Sequence, residues 1–172
     1  MFIECTKKLA DALKIKTNDI KPIKREPFYE WHANLFMFDR RKGVILMNNQ
    51  TRYCIVLYGL RAEHFKKIDR IVLDAIHETF LAEGFSENQV DTYIANCGEV
   101  SYTKTHDRSI LSQINEFHIS ISWEIEEHIP SDHLNLIELN RWVGRELMCG
   151  TLGYAHPIDL LKKEMSKIEG WS

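Results

Sequence analysis

The chain has 172 residues, of which 44% are hydrophobic and 27% are charged, a composition typical of folded globular proteins that excludes a disordered chain. Its formal net charge is −3. Because nucleic-acid modules usually carry an excess of Lys and Arg, this balance argues against that class unless a basic surface is local.

The N-terminal stretch MFIECTKKLADALKIK lacks the apolar core of a secretion signal, and no apolar run approaches the roughly 20 residues that span a bilayer. The cysteines are far apart and form no C-x-x-C pair, so neither a zinc site nor a disulfide framework is expected. Cys54 lies in an apolar run and is predicted to be buried. We therefore expect a cytoplasmic protein with no metal, no cofactor and no membrane association.

The first elements are a short strand at residues 2–5 and a helix for which Thr6 is a suitable N-cap. Residues 14–30 are polar, contain two prolines and are predicted to form a surface loop. Three short apolar runs follow. Turn-rich breaks at 39–43 and 49–52 separate them, and connections this short permit antiparallel but not parallel neighbours. The sequence therefore predicts a three-stranded antiparallel meander with strands at 32–38, 44–48 and 53–58.

After the meander the hydrophobic period changes to that of a helix over residues 63–83, which Gly84 ends. Ser86 and Gln89 have the spacing of a capping box for a second helix, and residues 99–104 resemble a fourth strand.

The apolar residues of 107–127 have helical spacing throughout, but those of the second half also alternate as in a strand. We favour a helix, because it explains the first half better. Pro130 ends this segment, a helix follows at about 132–146, and Pro157 suits the first turn of a final helix. The predicted fold class is α+β, with a small antiparallel sheet of at least four strands and about five helices. We expect a single domain over residues 1–172, with an α+β core at 1–130 and a helical extension at 131–172 packed on it.

Two groups of polar residues occupy opposite ends of the predicted meander. If its first turn is centred near Arg41, residue 34 lies opposite residue 48, and one edge of the sheet gathers polar residues from all three strands. That edge contains His32, Asn34, Asn48, Asn49 and Arg52. The tip formed by Arg40, Arg41 and Lys42 projects from the other end, roughly 20 Å away at ~3.3 Å per residue.

The first group has the chemistry of an anion site. Arg52 can hold a carboxylate or phosphate through two parallel hydrogen bonds, Asn34 and Asn48 can orient it, and an imidazole such as that of His32 can move a proton. The stretch has no carboxylate or nucleophile of its own, however. The alternative is that the asparagines form the turn, Arg52 is solvated and His32 is a half-buried histidine with its partners satisfied.

A second candidate stretch, KTHDRS, lies where the fourth strand becomes a helix. Free backbone N–H groups at a helix start favour an anion, and Lys104, Thr105 and Arg108 suit a phosphate. Alternatively Thr105 or Asp107 only caps the helix and Arg108 faces water. The tip at Arg40–Lys42 has the same two interpretations, a solvated turn or a contact to phosphate.

Several of these blocks resemble an uncharacterised family of prokaryotic proteins, a domain of unknown function. They are CTKKL, WHANLF, RRKGVILMNNQTRYCIVLYGL, GEV, TKTHDRSIL and IN, and they extend over about residues 1 to 117. The resemblance implies a bacterial or archaeal cytosolic protein, and it brings no activity, cofactor or catalytic residue with it.

Three functions therefore stay open. The first is a non-enzymatic binding or regulatory protein that recognises a protein partner. The second is nucleic-acid or nucleotide binding through Arg52, Lys104 and Arg108, with the basic tip. The third is an enzyme acting on a phosphate or carboxylate compound, with His32 as acid or base and the same three cations holding the anion. This third function requires that Lys104 and His32 lie on the same side of the fold.

Overall fold

The structure is a computed structural model that describes residues 1–17, 26–128 and 134–168. Residues 18–25 of the predicted loop, Pro130 and the predicted start of a helix at 132 lie outside these ranges. The strands are β1 (Phe2–Cys5), β2 (Glu30–Phe38), β3 (Arg41–Asn48), β4 (Cys54–Leu60) and β5 (Ser101–Lys104). The α-helices are α1 (Lys7–Leu13), α2 (Ala62–Phe65), α3 (Ile68–Ala82), α4 (Glu87–Cys97), α5 (Arg108–His128), α6 (Leu136–Glu146) and α7 (Pro157–Met165), and 3₁₀ turns occur at Pro27–Tyr29 and Gly150–Leu152.

The strands form one sheet in the order β4-β3-β2-β1-β5. Strands β2, β3 and β4 are the predicted antiparallel meander, and the α+β class is confirmed. The further strands, β1 and β5, are both parallel, β1 to β2 and β5 to β1, so that the sheet is mixed. A parallel pair needs a long connection, and the chain between β1 and β2 supplies one through α1 and the segment after it.

The hairpin between β2 and β3 is tighter than predicted. Phe38 pairs with Arg41, so the turn consists of Asp39 and Arg40 alone, both with positive φ (45° and 58°) as a type I′ turn requires. Asn48 consequently lies opposite Trp31, and Asn34 lies opposite Ile45. The predicted pairing of residue 34 with residue 48 was wrong, because the turn is centred before Arg41 rather than on it.

Helices cover both faces of the sheet, which explains why β3 and β4 show so little polar alternation. On one face the helices α1, α3, α4 and α7 pack against odd-numbered residues of β2, and on the other α5 and α6 pack against even-numbered ones. The first core includes Ile3, Trp31, Leu46, Ile76, Phe80 and Tyr93, and the second includes Phe36, Ile45, Val56, Ile114, Ile121 and Val143.

The helical predictions hold with one difference. Residues 108–128 form one continuous helix, which settles the strand-or-helix ambiguity, and the Ser86–Gln89 capping box is present. The helix predicted at 63–83 is divided into α2 and α3 at Lys66 and Lys67, and the described residues form seven α-helices where about five were expected. Among the described residues, no helix has the length and apolar character needed to cross a membrane. All four cysteines are unpaired and buried, Cys54 among them as predicted.

A buried carboxylate joins α3, α6 and the start of β4. Glu83, at the end of α3, accepts a hydrogen bond of 2.6 Å from the hydroxyl of Tyr53 and forms an ion pair with Arg145 of α6. Helix α6 lies close to the ring of Tyr53 because residue 144 is glycine. A Cβ at this position would lie 2.5 Å from Cε2 of Tyr53. Burial, followed by the hydrogen bond to Glu83, raises the pKa of Tyr53.

Candidate functional site

The candidate site begins with a row of residues across the sheet. Thr103 of β5, Glu4 of β1 and His32 of β2 are aligned by strand pairing, and their side chains lie on the face covered by α5. All three are buried, with relative exposures of 5%, 8% and 1%. A carboxylate and an imidazole in this position are costly to bury unless they are paired, so their partners define the site.

Glu4 is held by three different segments of the chain. Its Oε1 accepts a hydrogen bond of 3.0 Å from the side-chain amide of Asn49, in the turn between β3 and β4. Its Oε2 lies 3.1 Å from the backbone nitrogen of His106 and 3.2 Å from Nδ1 of the same residue, in the turn between β5 and α5. Nε2 of His32 lies 3.3 Å from the same oxygen. The carboxylate thus fastens two loops to the face of the sheet.

The amide of Asn49 fixes the tautomer of His32. Because Asn49 donates its amide hydrogen to Glu4, its oxygen is the acceptor for Nδ1 of His32 at 2.7 Å, and Nδ1 carries a hydrogen. Nε2 of His32 then has two possible partners. It lies 3.3 Å from the backbone nitrogen of Asp107 and 3.3 Å from Oε2 of Glu4. His32 thus contacts the Asn49 turn through Nδ1 and the turn before α5 through Nε2.

Asp107 caps α5. Its Oδ1 accepts hydrogen bonds from the backbone nitrogens of Ser109 (2.8 Å) and Ile110 (3.3 Å), so the anion at this helix start is a carboxylate of the chain itself. Burial raises the pKa of the Asp107 carboxyl, but the hydrogen bonds from Ser109 and Ile110 and the charge of Arg52 outweigh it and lower the pKa. The capping interpretation of KTHDRS is confirmed for Asp107.

Arg52 has a different role from either predicted one. It is 7% exposed, it donates through Nη1 to the backbone oxygen of Asn49, and its charge lies near Asp107. Burial lowers the pKa of its guanidinium, an effect that Asp107 opposes. Arg52 is therefore neither solvated nor open to a ligand, and it supports the Asn49 turn from within.

An open cleft of about 630 Å³ lies over this network. It is bounded by the segment before β2, the Asn49 turn and the first turn of α5. We call it the polar cleft, and its polar lining residues are Glu4, Glu30, His32, Asn49, His106, Asp107, Arg108 and Ser109. Among the described residues, no group of three or more His, Cys, Asp or Glu side chains could hold a metal ion.

The structure brings only part of the predicted anion site together. His32 and Arg108 both line the polar cleft. Asn48 lies on the opposite face of the sheet, where its oxygen closes the 49–52 turn and its amide donates to the carbonyl of Phe28. Asn34 accepts a hydrogen bond from Thr6, and Thr105 is half-buried outside the cleft lining.

Lys104 and His32 lie on opposite faces of the sheet. Strand pairing aligns Lys104 with Cys5 and Ala33, both of which face the core under α3, whereas His32 faces α5. The juxtaposition of Lys104 and His32 that the enzyme hypothesis requires is therefore not present. Nor do Lys104, Arg52 and Arg108 form one continuous edge, since Arg52 is buried under the Asn49 turn and only Arg108 lines the polar cleft.

The basic tip is separate from the polar cleft. Arg40, Arg41 and Lys42 are exposed at the far end of the hairpin, where they line a second cleft together with Arg61. The prediction that the two ends of the meander hold distinct polar groups is therefore correct.

Sequence reasoning missed Glu4 and His106. The signal for Glu4 was available, because a glutamate between Ile3 and Cys5 in a short apolar strand requires a buried partner. His106 could not be placed from sequence, since its contact to Glu4 spans 102 positions and depends on β5 pairing in parallel with β1.

The fold and the site define a mixed-sheet α+β protein in which a buried Glu–His pair lies under an open cleft. In sequence, residues 2–160 match the model of DUF6933, a domain of unknown function, and the chain belongs to this family. No curated protein matches the chain.

Proposed function

We propose that this protein is a non-enzymatic cytoplasmic binding protein whose polar cleft recognises a ligand carrying a carboxylate group. The observation that supports this proposal is the orientation of the polar groups in the cleft. The carboxylates of Glu4 and Asp107 turn inward onto backbone and side-chain donors, whereas His106 and Arg108 are exposed at the rim. The charged donor that a ligand meets first is therefore the guanidinium of Arg108.

The guanidinium of Arg108 suits a carboxylate, because its planar fork can bind two oxygens at once. Nδ1 of His106 donates to Glu4, which leaves Nε2 of the neutral ring as an acceptor for a hydroxyl or amide hydrogen of the ligand. Glu30 also lines the cleft and limits its positive charge. This balance favours a singly charged carboxylate over a doubly charged phosphate.

The arrangement of the same residues argues against catalysis. A general acid or base must reach the substrate, and His32 is 1% exposed with both ring nitrogens close to partners within the protein. The carboxylate of Asp107, which accepts the backbone N–H of Ser109, is the titratable group beside this serine, whereas a serine nucleophile is activated by an adjacent base such as an imidazole. The buried and unpaired state of the cysteines fits the reducing environment of the cytoplasm.

The proposal is tested by titrating ¹⁵N-labelled protein with acetate, and with acetamide as an uncharged control, while amide chemical shifts are recorded. We expect acetate alone to shift the backbone amides of residues 106–110 and the side-chain amide of Asn49. The variant R108Q should weaken this binding at least about tenfold, or ~1.4 kcal/mol.

The matched control is R70Q, which removes an exposed arginine of α3 that is paired with Asp74. It should bind acetate as the unmodified protein does. Equal responses of R108Q and R70Q, or shifts that avoid residues 106–110, would contradict the proposal.

A further inference from the structure

The second cleft, at the far end of the hairpin, concentrates positive charge in an acidic protein. We call it the basic cleft. It has a volume of about 470 Å³ and is lined by Arg40, Arg41, Lys42 and Arg61, together with Gly59, Leu60 and Ala62. Residues 39–42 and 61–67 carry six cations and two carboxylates, a net charge of +4 in a chain whose total is −3. The rest of the chain therefore carries −7, and the charge is strongly segregated.

The geometry of the meander brings the four cations of the basic cleft together. Lys42 pairs with Leu60 and Gly43 pairs with Tyr58, so Gly59 is an extra residue in β4. Its φ of +76° is the left-handed conformation of a glycine bulge, which bends the end of a strand and redirects the residues that follow. The bulge brings Arg61, which follows β4, alongside the turn that carries Arg40 and Arg41.

Two contacts hold the cations in place without neutralising them. Nζ of Lys42 lies 5.8 Å from the centre of the Phe65 ring in α2, and the backbone of Arg61 is fixed by hydrogen bonds with His64. Within the described residues, none of the four cleft cations forms an ion pair with a carboxylate. Four exposed like charges around one cleft repel one another, and a bound polyanion relieves this repulsion.

We infer that the basic cleft binds closely spaced phosphate groups. Arginine presents a planar fork that matches phosphate oxygens, and three of the four lining cations are arginines. Two kinds of ligand carry such groups, a nucleic acid and a free oligophosphate. A nucleic acid fits the surface better, because Lys66 and Lys67 extend the positive charge beyond the cleft and suit a long ligand. Tyr58 and Phe65 are only partly exposed, so we expect the contacts to be with phosphates and independent of base sequence.

The test is fluorescence anisotropy of labelled single-stranded and duplex oligonucleotides between about 50 and about 200 mM salt, with titration calorimetry of tripolyphosphate as a second arm. Four neutralised phosphates give a slope of log K against log salt of about −3 for a single strand and about −3.6 for a duplex. The variant R40Q/R41Q/K42Q/R61Q should bring this slope close to zero and weaken binding at least about tenfold at the lower salt. Binding of tripolyphosphate alone, lost in the same variant, assigns the cleft to a free oligophosphate.

The control variant removes the same amount of charge from exposed lysines elsewhere, K7Q/K8Q/K162Q/K163Q. A triple variant, R40Q/R41Q/R61Q, keeps the Lys42–Phe65 contact and distinguishes lost binding from a disturbed α2. Both should have the circular dichroism spectrum of the unmodified protein, and the control should keep full affinity. Absence of binding to all three probes at low salt, or equal losses in the two quadruple variants, would overturn the inference.

Discussion

Glu4 and His32 face each other across the parallel pair of β1 and β2, with Oε2 of the carboxylate 3.3 Å from Nε2 of the imidazole. The two side chains share their partners. The side chain of Asn49 binds both Glu4 and His32. In the turn before α5, the backbone nitrogen of His106 binds Glu4 and that of Asp107 binds His32. The pair therefore couples the N-terminal strand, the meander and the start of α5, and its loss should disturb all three.

The first prediction concerns the charge of Glu4. In E4Q the new amide hydrogens must face either the amide of Asn49 or the backbone N–H of His106, and both of these are donors. A buried donor is then left without an acceptor. We expect the free energy of unfolding, measured with urea, to fall by about 1–3 kcal/mol.

The control for this substitution is E99Q, which removes the charge of an exposed glutamate next to β5. Its effect should lie within about 0.5 kcal/mol of zero, as for most surface substitutions. An E4Q protein as stable as E99Q would show that the Glu4 network does not hold the loops in place.

The second prediction separates the capping role of Asp107 from its charge. Asparagine caps helices nearly as well as aspartate, so D107A should lower stability by about 1 kcal/mol and D107N by less at neutral pH. The lowered pKa of Asp107 means that the folded state favours the ionised carboxyl. The ionised carboxyl therefore contributes to the free energy of unfolding. This contribution is fully present above pH 3.8, the ordinary pKa of the group, and is lost as the pH falls through the lower pKa of the folded state.

Measurement of urea unfolding from neutral pH down to about pH 3 checks this sign. The difference in stability between the unmodified protein and D107N should shrink on acidification below pH 3.8. A difference that grows toward low pH would contradict the assignment of Asp107 as an ionised cap.

Local signals in the sequence were sufficient for the elements and for the meander, but not for the register of its first hairpin or for the parallel pairing of β1 and β5. The capping residues Thr6 and Ser86 and the helical period of α5 are encoded within a few positions, and each was predicted correctly. The turn at Asp39 and Arg40 was placed too late, because Asp-Arg is an unusual type I′ pair and the predicted break extended as far as Gly43. In fact Gly43 lies within β3, where a Cβ would be 2.2 Å from the ring of Phe36.

The candidate site was predicted only in part for the same reason. His32 and Asn49 were recognised because they lie close to turns in the clearest part of the sequence. Their carboxylate partner comes from β1, whose parallel pairing leaves no local pattern. Arg52 was misplaced because its left-handed backbone (φ 61°) turns the side chain under the loop, which composition does not reveal.

The third prediction concerns the buried carboxylate of Glu83. Its removal in E83A leaves the guanidinium of Arg145 and the hydroxyl of Tyr53 without their acceptor, and we expect a loss of about 3–5 kcal/mol. Y53F removes one hydrogen bond and leaves the ion pair, so its cost should be nearer 1 kcal/mol. R141A is the control, because Arg141 approaches Glu83 only to 3.7 Å. Chemical unfolding of the three variants should rank them in this order, and an R141A variant as unstable as E83A would contradict it.

The fourth prediction is that the native thiols are unreactive. Burial raises the pKa of Cys5 and of Cys149 to about 11 and that of Cys97 to about 12, and the pKa of Cys54 is raised as well. At pH 8 the thiolate that reacts with disulfide reagents is therefore scarce as well as inaccessible. Ellman's reagent should label the native protein slowly and release four equivalents at once after denaturation in urea. One rapidly labelled thiol in the native protein would show that a core opens locally.

The last prediction tests the close approach of α6 to the sheet. In G144A the new methyl group would lie 2.5 Å from Cε2 of Tyr53, whose ring is enclosed by Phe80 and cannot move away freely. Overpacking of this kind costs about 1–3 kcal/mol, and the displaced helix should also weaken the Arg145–Glu83 pair. G150A is a matched control, since the nearest atom to its methyl group is 3.8 Å away, at Tyr154. Thermal unfolding should therefore show a clear decrease in Tm for G144A and little change for G150A. Similar values for both variants would mean that Tyr53 can yield, and that glycine at 144 is not what allows α6 to pack.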